Sequence, residues 1–103
     1  MKYIKTYEKL SFKNYVIMSH SWLPNTLFIC RPFNEDTKNK IGTRIDMMRI
    51  FQYDIPSSEF LEDGNIYYYS PTDKSTIILY QTDSLEDAKN SMKIIAHQKK
   101  FNI

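Results

Sequence analysis

Cysteine and glycine are scarce in this sequence, and their scarcity excludes several kinds of site. A single cysteine, Cys30, cannot form a disulfide framework within the chain or supply the paired ligands of a zinc site. The histidines, His20 and His97, are too far apart in sequence to form a recognisable ligand pair. Gly42 and Gly64 are isolated, so no glycine-rich loop is present to cradle a phosphate. We therefore expect no metal and no small-molecule cofactor.

Long apolar runs are also missing. None approaches the roughly 18 residues that a transmembrane helix needs. The N-terminal stretch MKYIKTYEKL alternates lysine with apolar residues, unlike a signal peptide. The unpaired cysteine fits a reducing compartment. These features predict a soluble, cytoplasmic protein without a membrane partner, and the length predicts a single domain over residues 1–103.

Six residue types with AT-rich codons dominate the composition. Phe, Tyr, Met, Ile, Asn and Lys account for 50 of the 103 residues, whereas Gly, Ala, Arg and Pro together account for 11. This skew indicates an AT-rich genome, such as that of a low-GC bacterium, its phages or its plasmids. The net charge of +2 argues against a strongly electrostatic nucleic-acid binder.

Helical patterns occur at both ends of the chain. Residues 84–100 begin with Ser84 three positions before an acid, continue with apolar residues at helical spacing and end in lysines, which predicts a helix. Residues 3–10 predict a short N-terminal helix. Residues 55–64 predict a turn of helix closed by Gly64.

Strand patterns fill the middle of the sequence. The apolar runs YVIMSH and TLFICRP, separated by SWLPN, predict a hairpin. Alternation over residues 43–53 predicts a third strand, although a helix through Ile41, Ile45 and Met48 competes with it. The runs NIYYY and TIILYQ flank a turn. The fold class is α+β: an antiparallel β-meander of four to five strands, a C-terminal helix packed on one face and a short N-terminal helix.

Two of these strands are apolar on both faces. A sheet that exposes one face to water should alternate apolar and polar residues, whereas YVIM and LFIC do not. A second cover is therefore expected, supplied by the N-terminal segment, by the middle segment or by another protein chain.

The three consecutive tyrosines can be divided between two faces of the sheet. A four-residue loop would pair Tyr68 with Ile77 and Tyr67 with Ile78. One face, expected beneath the helix, would then hold Ile66, Tyr68, Ile77 and Leu79. The other would present an exposed aromatic band made of Tyr67, Tyr69, Ile78 and Tyr80. A slip of one residue would change these partners.

The exposed apolar groups favour a protein interface as the leading hypothesis. Trp22, Leu23 and Pro24 lie at the predicted hairpin tip, where Trp22 is either exposed or folded back to cap the core. Tryptophan is enriched among interface hot spots. Together with the tyrosine band, these tip residues predict a small non-enzymatic protein-binding module or a self-associating chain. Such a module could be a phage or mobile-element accessory that inhibits or modulates a host protein, for example a defence factor, by occluding its surface.

Two alternatives remain open. The first is a nucleic-acid-binding protein in which lysines on two helices contact the phosphate backbone and tyrosines on the sheet stack on bases. The lysines concerned are Lys2, Lys5 and Lys9 on the first helix and Lys89, Lys93 and Lys100 on the last. The other alternative is a virion or assembly component. An enzyme is not expected, because a cysteine within an apolar strand is usually a buried hydrophobe.

Overall fold

An antiparallel sheet with one C-terminal helix forms the architecture. The computed structural model describes residues 12–33, 45–70 and 72–101. Within these ranges the elements are β1 (Tyr15–His20), β2 (Leu23–Pro32), β3 (Ile45–Asp54), β4 (Glu59–Glu62), β5 (Ile66–Tyr69), β6 (Thr76–Thr82) and α1 (Leu85–Lys100). The α+β class is confirmed, with six strands rather than four or five. The helix predicted over residues 3–10 lies outside the described residues.

The β1–β2 hairpin lies at the centre of the sheet. The strand order is β4-β3-β2-β1-β6, and β5 pairs with β3 on the edge that β4 also uses. β1 and β2 each have a strand on both sides, and their side chains enter two buried cores, one on each face of the sheet. This position explains why their sequences do not alternate. The strand predicted over residues 43–53 is confirmed as β3.

One face of the sheet is covered by α1, and we call it the helix face. Ser84 caps the helix by accepting a hydrogen bond from the backbone N–H of Asp87, 3.1 Å away. The small side chains of Ala88 and Ala96 let the helix lie close to the sheet. The buried core of this face contains Ile17, Leu27, Ile29, Tyr53, Ile55, Ala88, Met92 and Ala96. In the described part of the chain, no helix is long and apolar enough to cross a membrane.

The opposite face, called here the second face, has a core of its own. Its buried residues are Phe12, Val16, Met18, Phe28, Cys30, Ile45 and Met47. Partly buried side chains from other elements pack against them: Leu23, Tyr67, Tyr69 and Ile78. Phe12, which precedes β1, meets Tyr69 edge-on at 6.1 Å between ring centroids. The chain's own aromatic side chains therefore contribute to the cover of this face.

Two register shifts decide which face each outer residue joins. Between β2 and β3 the pairing passes from Ile29–Phe51 to Cys30–Arg49 and skips Ile50. Such an extra residue is a β-bulge, and it reverses the alternation beyond it. Between β1 and β6 the pairing likewise skips Leu79. As a result Ile78 joins the second face and Tyr80 the helix face.

Two local predictions were wrong, and strand pairing explains both. Residues 55–64 form a turn followed by β4 instead of a helical turn, because β4 pairs with β3 from Phe51 to Asp54. The turn places Ser58 at a φ of 61°, and its N–H donates to the Asp54 carbonyl at 2.7 Å. The predicted β5–β6 pairing is also absent, since β5 pairs with β3 and β6 with β1.

A matched pair of substitutions on α1 tests which side of the helix holds the fold. Met92 is fully buried on the helix face, whereas Ile94 is 61% exposed. We expect Met92→Ala to lower the free energy of unfolding by about 2–4 kcal/mol, because it leaves a cavity in the core. Ile94→Ala should change it by less than about 0.5 kcal/mol. Urea denaturation measures both, and equal effects would contradict the packing described.

Candidate functional site

The tip of the β1–β2 hairpin carries a stack of aromatic rings. β1 ends at His20. The imidazole of His20 lies nearly parallel to the indole of Trp22, with 4.6 Å between ring centroids and 13° between planes. Phe28 and Tyr67 contact the same imidazole at 5.1 and 4.6 Å. Trp22 lies in the turn that follows β1, and the turn brings its indole against the imidazole. The tip thus has a rigid aromatic base.

Hydroxyl groups fix the imidazole in this position. His20 Nδ1 is 3.1 Å from Thr76 Oγ1, and the Tyr67 hydroxyl hydrogen-bonds to the Thr76 hydroxyl. His20 is only 3% exposed, and its Nε2 has no hydrogen-bond partner within the described ranges. Burial is the largest cause that lowers the pKa of His20 to about 4; the charge of Arg49 contributes in the same direction, and that of Asp73 opposes the shift. The imidazole is therefore neutral at physiological pH.

Arg49 borders the cluster on the side of β3. Its guanidinium carbon lies 4.5 Å from the centroid of the Phe28 ring and 5.4 Å from that of Tyr67. A guanidinium nitrogen is 4.0 Å from a carboxylate oxygen of Asp63. Burial raises the pKa of Asp63, but hydrogen bonds from the Asn65 and Gly64 backbones and from the Gln52 side chain, together with the charge of Arg49, outweigh it and keep this pKa low. The cation is thus held over the rings.

Trp22 is the exposed member of this assembly. One face of its indole covers the imidazole, while the side chain as a whole remains 54% exposed. A large aromatic group held in one orientation loses little conformational entropy when it is buried by a partner. The stack on the buried imidazole of His20 therefore holds the Trp22 indole in one orientation while leaving half of its surface exposed.

Cys30 and Thr76, which lie in or beside the second-face core, are withdrawn from solvent. Cys30 is fully buried, as expected for a cysteine in an apolar strand, and burial raises the pKa of its thiol to about 12. Thr76, which is next to His20, is buried as well. The arrangement places an exposed indole over a closed polar cluster.

The comparisons with known proteins give no relative. The chain matches no family model, and no curated protein or solved structure is significantly similar to it. The function of this chain is therefore inferred from its own side-chain contacts.

The residues predicted for the protein interface separate into three groups. Trp22 and Pro24 are exposed at the tip, whereas Leu23, like Ile78, packs against the second-face core. Tyr67 and Tyr69 pack there too, because β5 pairs with β3 beside Met47 and Ile45. Tyr80 lies on the helix face, where its hydroxyl donates to an Asp87 carboxylate oxygen at 2.8 Å. The expected exposed band of Tyr67, Tyr69, Ile78 and Tyr80 is therefore wrong as one surface, because only Tyr80 is exposed and it lies on the other face.

The side chains expected beneath the helix are exposed instead. Ile66 and Tyr68 of β5, and Ile77 and Leu79 of β6, are all among the exposed large apolar side chains. Sequence reasoning also missed His20 as the support of Trp22. Sequence alternation could not reveal it, because Trp22 lies in the turn beyond the end of β1.

The lysines of the nucleic-acid alternative are only partly described. Lys2, Lys5 and Lys9 lie outside the described residues. The ammonium of Lys89 lies 4.3 Å from the centroid of the Phe51 ring, so this lysine already has a contact on the helix face. Lys93 and Lys100 are exposed.

The neutral state of His20 predicts a pH dependence of stability. The folded state holds the pKa of His20 at about 4, against 6.5 for its ordinary value. The unfolded chain therefore binds protons first as the pH falls. We expect the free energy of unfolding to be greatest near neutral pH and to decline by about 2 kcal/mol between about pH 6.5 and pH 4.5.

Urea denaturation across this range measures the decline, with His20→Gln as the control. The variant lacks the titrating ring, so its stability should change much less over the same interval. Carboxylates with lowered pKa values, such as Asp63, lose their contribution only at lower pH. An equal decline in both proteins would contradict a buried neutral His20.

Proposed function

We propose that this domain is a non-enzymatic protein-binding module whose contact surface is centred on Trp22 at the hairpin tip. The observation that carries the proposal is the parallel stack of a half-exposed indole on a buried, neutral imidazole. Tryptophan contributes strongly at interfaces when it enters a desolvated pocket on the partner. Pro24, also exposed at the tip, adds apolar surface without a backbone N–H that would need a partner.

The biological setting is a further part of the proposal. The AT-rich codon signature suits a phage or mobile element, and a small cytoplasmic accessory could inhibit a host protein by covering its functional surface. A protruding, preorganised anchor is suited to such occlusion, because it needs a complementary cleft and no catalytic groups. Self-association through the same tip, including assembly into a virion, is the competing use of this surface.

Nucleic-acid binding fits the side-chain placement less well. The rings of Tyr67 and Tyr69 pack against the second-face core, where they are not free to stack on bases. Lys89 is engaged with Phe51, which interrupts the lysine stripe on α1. The net charge of +2 gives little general attraction to phosphate.

Quantitative affinity capture tests the interface role of Trp22. The immobilised protein is exposed to lysate of a low-GC bacterium, beside the variants Trp22→Ser and Phe33→Ser. Phe33 is 49% exposed just beyond the end of β2, far from the tip, and it is the matched control. We expect a retained protein to be reduced at least tenfold by Trp22→Ser, because a hot-spot residue contributes about 2 kcal/mol or more.

The control should change that retention by less than twofold. Equal retention by wild type and Trp22→Ser would contradict the proposal. Loss with both variants would indicate nonspecific hydrophobic adsorption, and that result would also contradict it. Nuclease treatment that abolishes capture would favour the nucleic-acid alternative.

A further inference from the structure

A groove lies on the helix face, at the C-terminal end of α1. Four elements line it: the start of β2, the β3–β4 turn, β6 and the last turns of the helix. Its volume is about 620 Å³, and it is open to solvent. The lining residues are Pro24, Asn25, Ile55, Pro56, Leu79, Ile95, Gln98, Lys99 and Lys100.

The walls of this groove are fixed by backbone hydrogen bonds. The N–H of Ile55 donates to the Asn25 carbonyl at 2.9 Å, which ties the β3–β4 turn to the start of β2. The turn itself is closed because the Asp54 carboxylate accepts from the Ser57 N–H at 3.0 Å. A segment entering the groove therefore meets a preformed surface.

The apolar part of the lining presents few free backbone N–H groups. Pro24 and Pro56 lack an N–H, and the Ile55 N–H is already bonded to Asn25. An apolar side chain that covers these positions would leave few backbone N–H groups without a hydrogen-bond partner. Its entry therefore carries a small desolvation penalty. Leu79, the bulge residue of β6, remains 36% exposed here.

The charged side chains that line the groove are all positive. Lys99 and Lys100 line it, and no lining residue is acidic. Lysines at a helix C-terminus complement the helix dipole, which accounts for their presence but not for the apolar surface that residues 12–33, 45–70 and 72–101 leave exposed beside them. A cleft that combines apolar side chains with polar ones and two cations is complementary to an apolar side chain flanked by carboxylates.

We propose that this groove binds a peptide segment of a partner protein in which a large apolar side chain lies next to aspartate or glutamate. The inference rests on the proposed protein-binding function and names the chemistry of the partner. The groove is open to solvent, which suits a segment lying across it better than an enclosed small molecule. Trp22 stacks over the second face while Pro24 lines the groove, so a partner that embraces the hairpin tip meets both surfaces.

Selection from a random 12-residue peptide display library tests the inference with a defined probe. Three proteins are immobilised: wild type, the double variant Lys99→Glu/Lys100→Glu, and the control Arg31→Glu/Lys74→Glu. The control changes the net charge equally at exposed positions outside the groove. Wild type and control should enrich peptides with large apolar residues beside acids, whereas the groove variant should enrich peptides that carry lysine or arginine.

Affinities of one selected acidic peptide complete the test. The groove variant should weaken its Kd at least tenfold, and the control and Trp22→Ser should change it by less than twofold. Enrichment without an acidic preference, or an affinity that the groove variant leaves unchanged, would overturn the inference. So would a dimer of the wild type that the groove variant dissociates, because a second copy would then be the occupant.

The two proposals fail separately in these experiments. Loss of lysate capture in Trp22→Ser, combined with no acidic peptide in the selection, would overturn the groove inference alone. An acidic peptide that requires Lys99 and Lys100, combined with capture that is indifferent to Trp22, would overturn the role of the hairpin tip and leave the groove in place.

Discussion

Burial of the β1–β2 hairpin on both faces is the constraint on which the rest of the structure depends. Val16 and Met18 point to one core and Ile17 to the other, so neither face of these strands can be left to water. A single helix can cover only one face. The second face is completed from the sheet margins, by Tyr67 and by other apolar side chains that pack against its core. A domain of this size thus builds two thin cores around one hairpin.

This arrangement also places the polar groups where they can act. The second-face core ends at the hairpin tip, and there His20, Thr76 and Tyr67 replace apolar side chains with a hydrogen-bonded cluster. Its position at the rim lets one aromatic group, Trp22, remain outside while its support stays buried. On the other face, α1 ends beside the same hairpin, and the space beyond its last turns forms the basic-rimmed groove around Leu79. The Trp22 surface thus lies at the edge of the second-face core, and the groove lies at the edge of the helix-face core.

The sequence was sufficient for the parts of the fold that depend on local pattern. The capped, amphipathic α1, the central hairpin and β3 were all predicted from periodicity and turn residues. The partners of β5 and β6 were not predictable in this way, because a nearby hairpin and a distant pairing bury similar side chains. Skipped residues such as Leu79 then reversed the faces of the strand ends, a change that alternation cannot reveal. Of the candidate site, the sequence allowed an exposed Trp22 or one that caps the core. The position of His20, which supports Trp22, depends on the pairing of β1 with β6.

Covering of the second face by this chain itself is the central claim, and Cys30 reports on it directly. It is the only cysteine in the sequence, is fully buried in that face, and has a thiol pKa raised to about 12. The decisive measurement is the rate at which an excess of thiol reagent modifies the native protein at neutral pH, compared with the rate in urea. The account predicts native modification at least about a thousandfold slower, limited by unfolding. Native modification within tenfold of the unfolded rate would show that the second face is open.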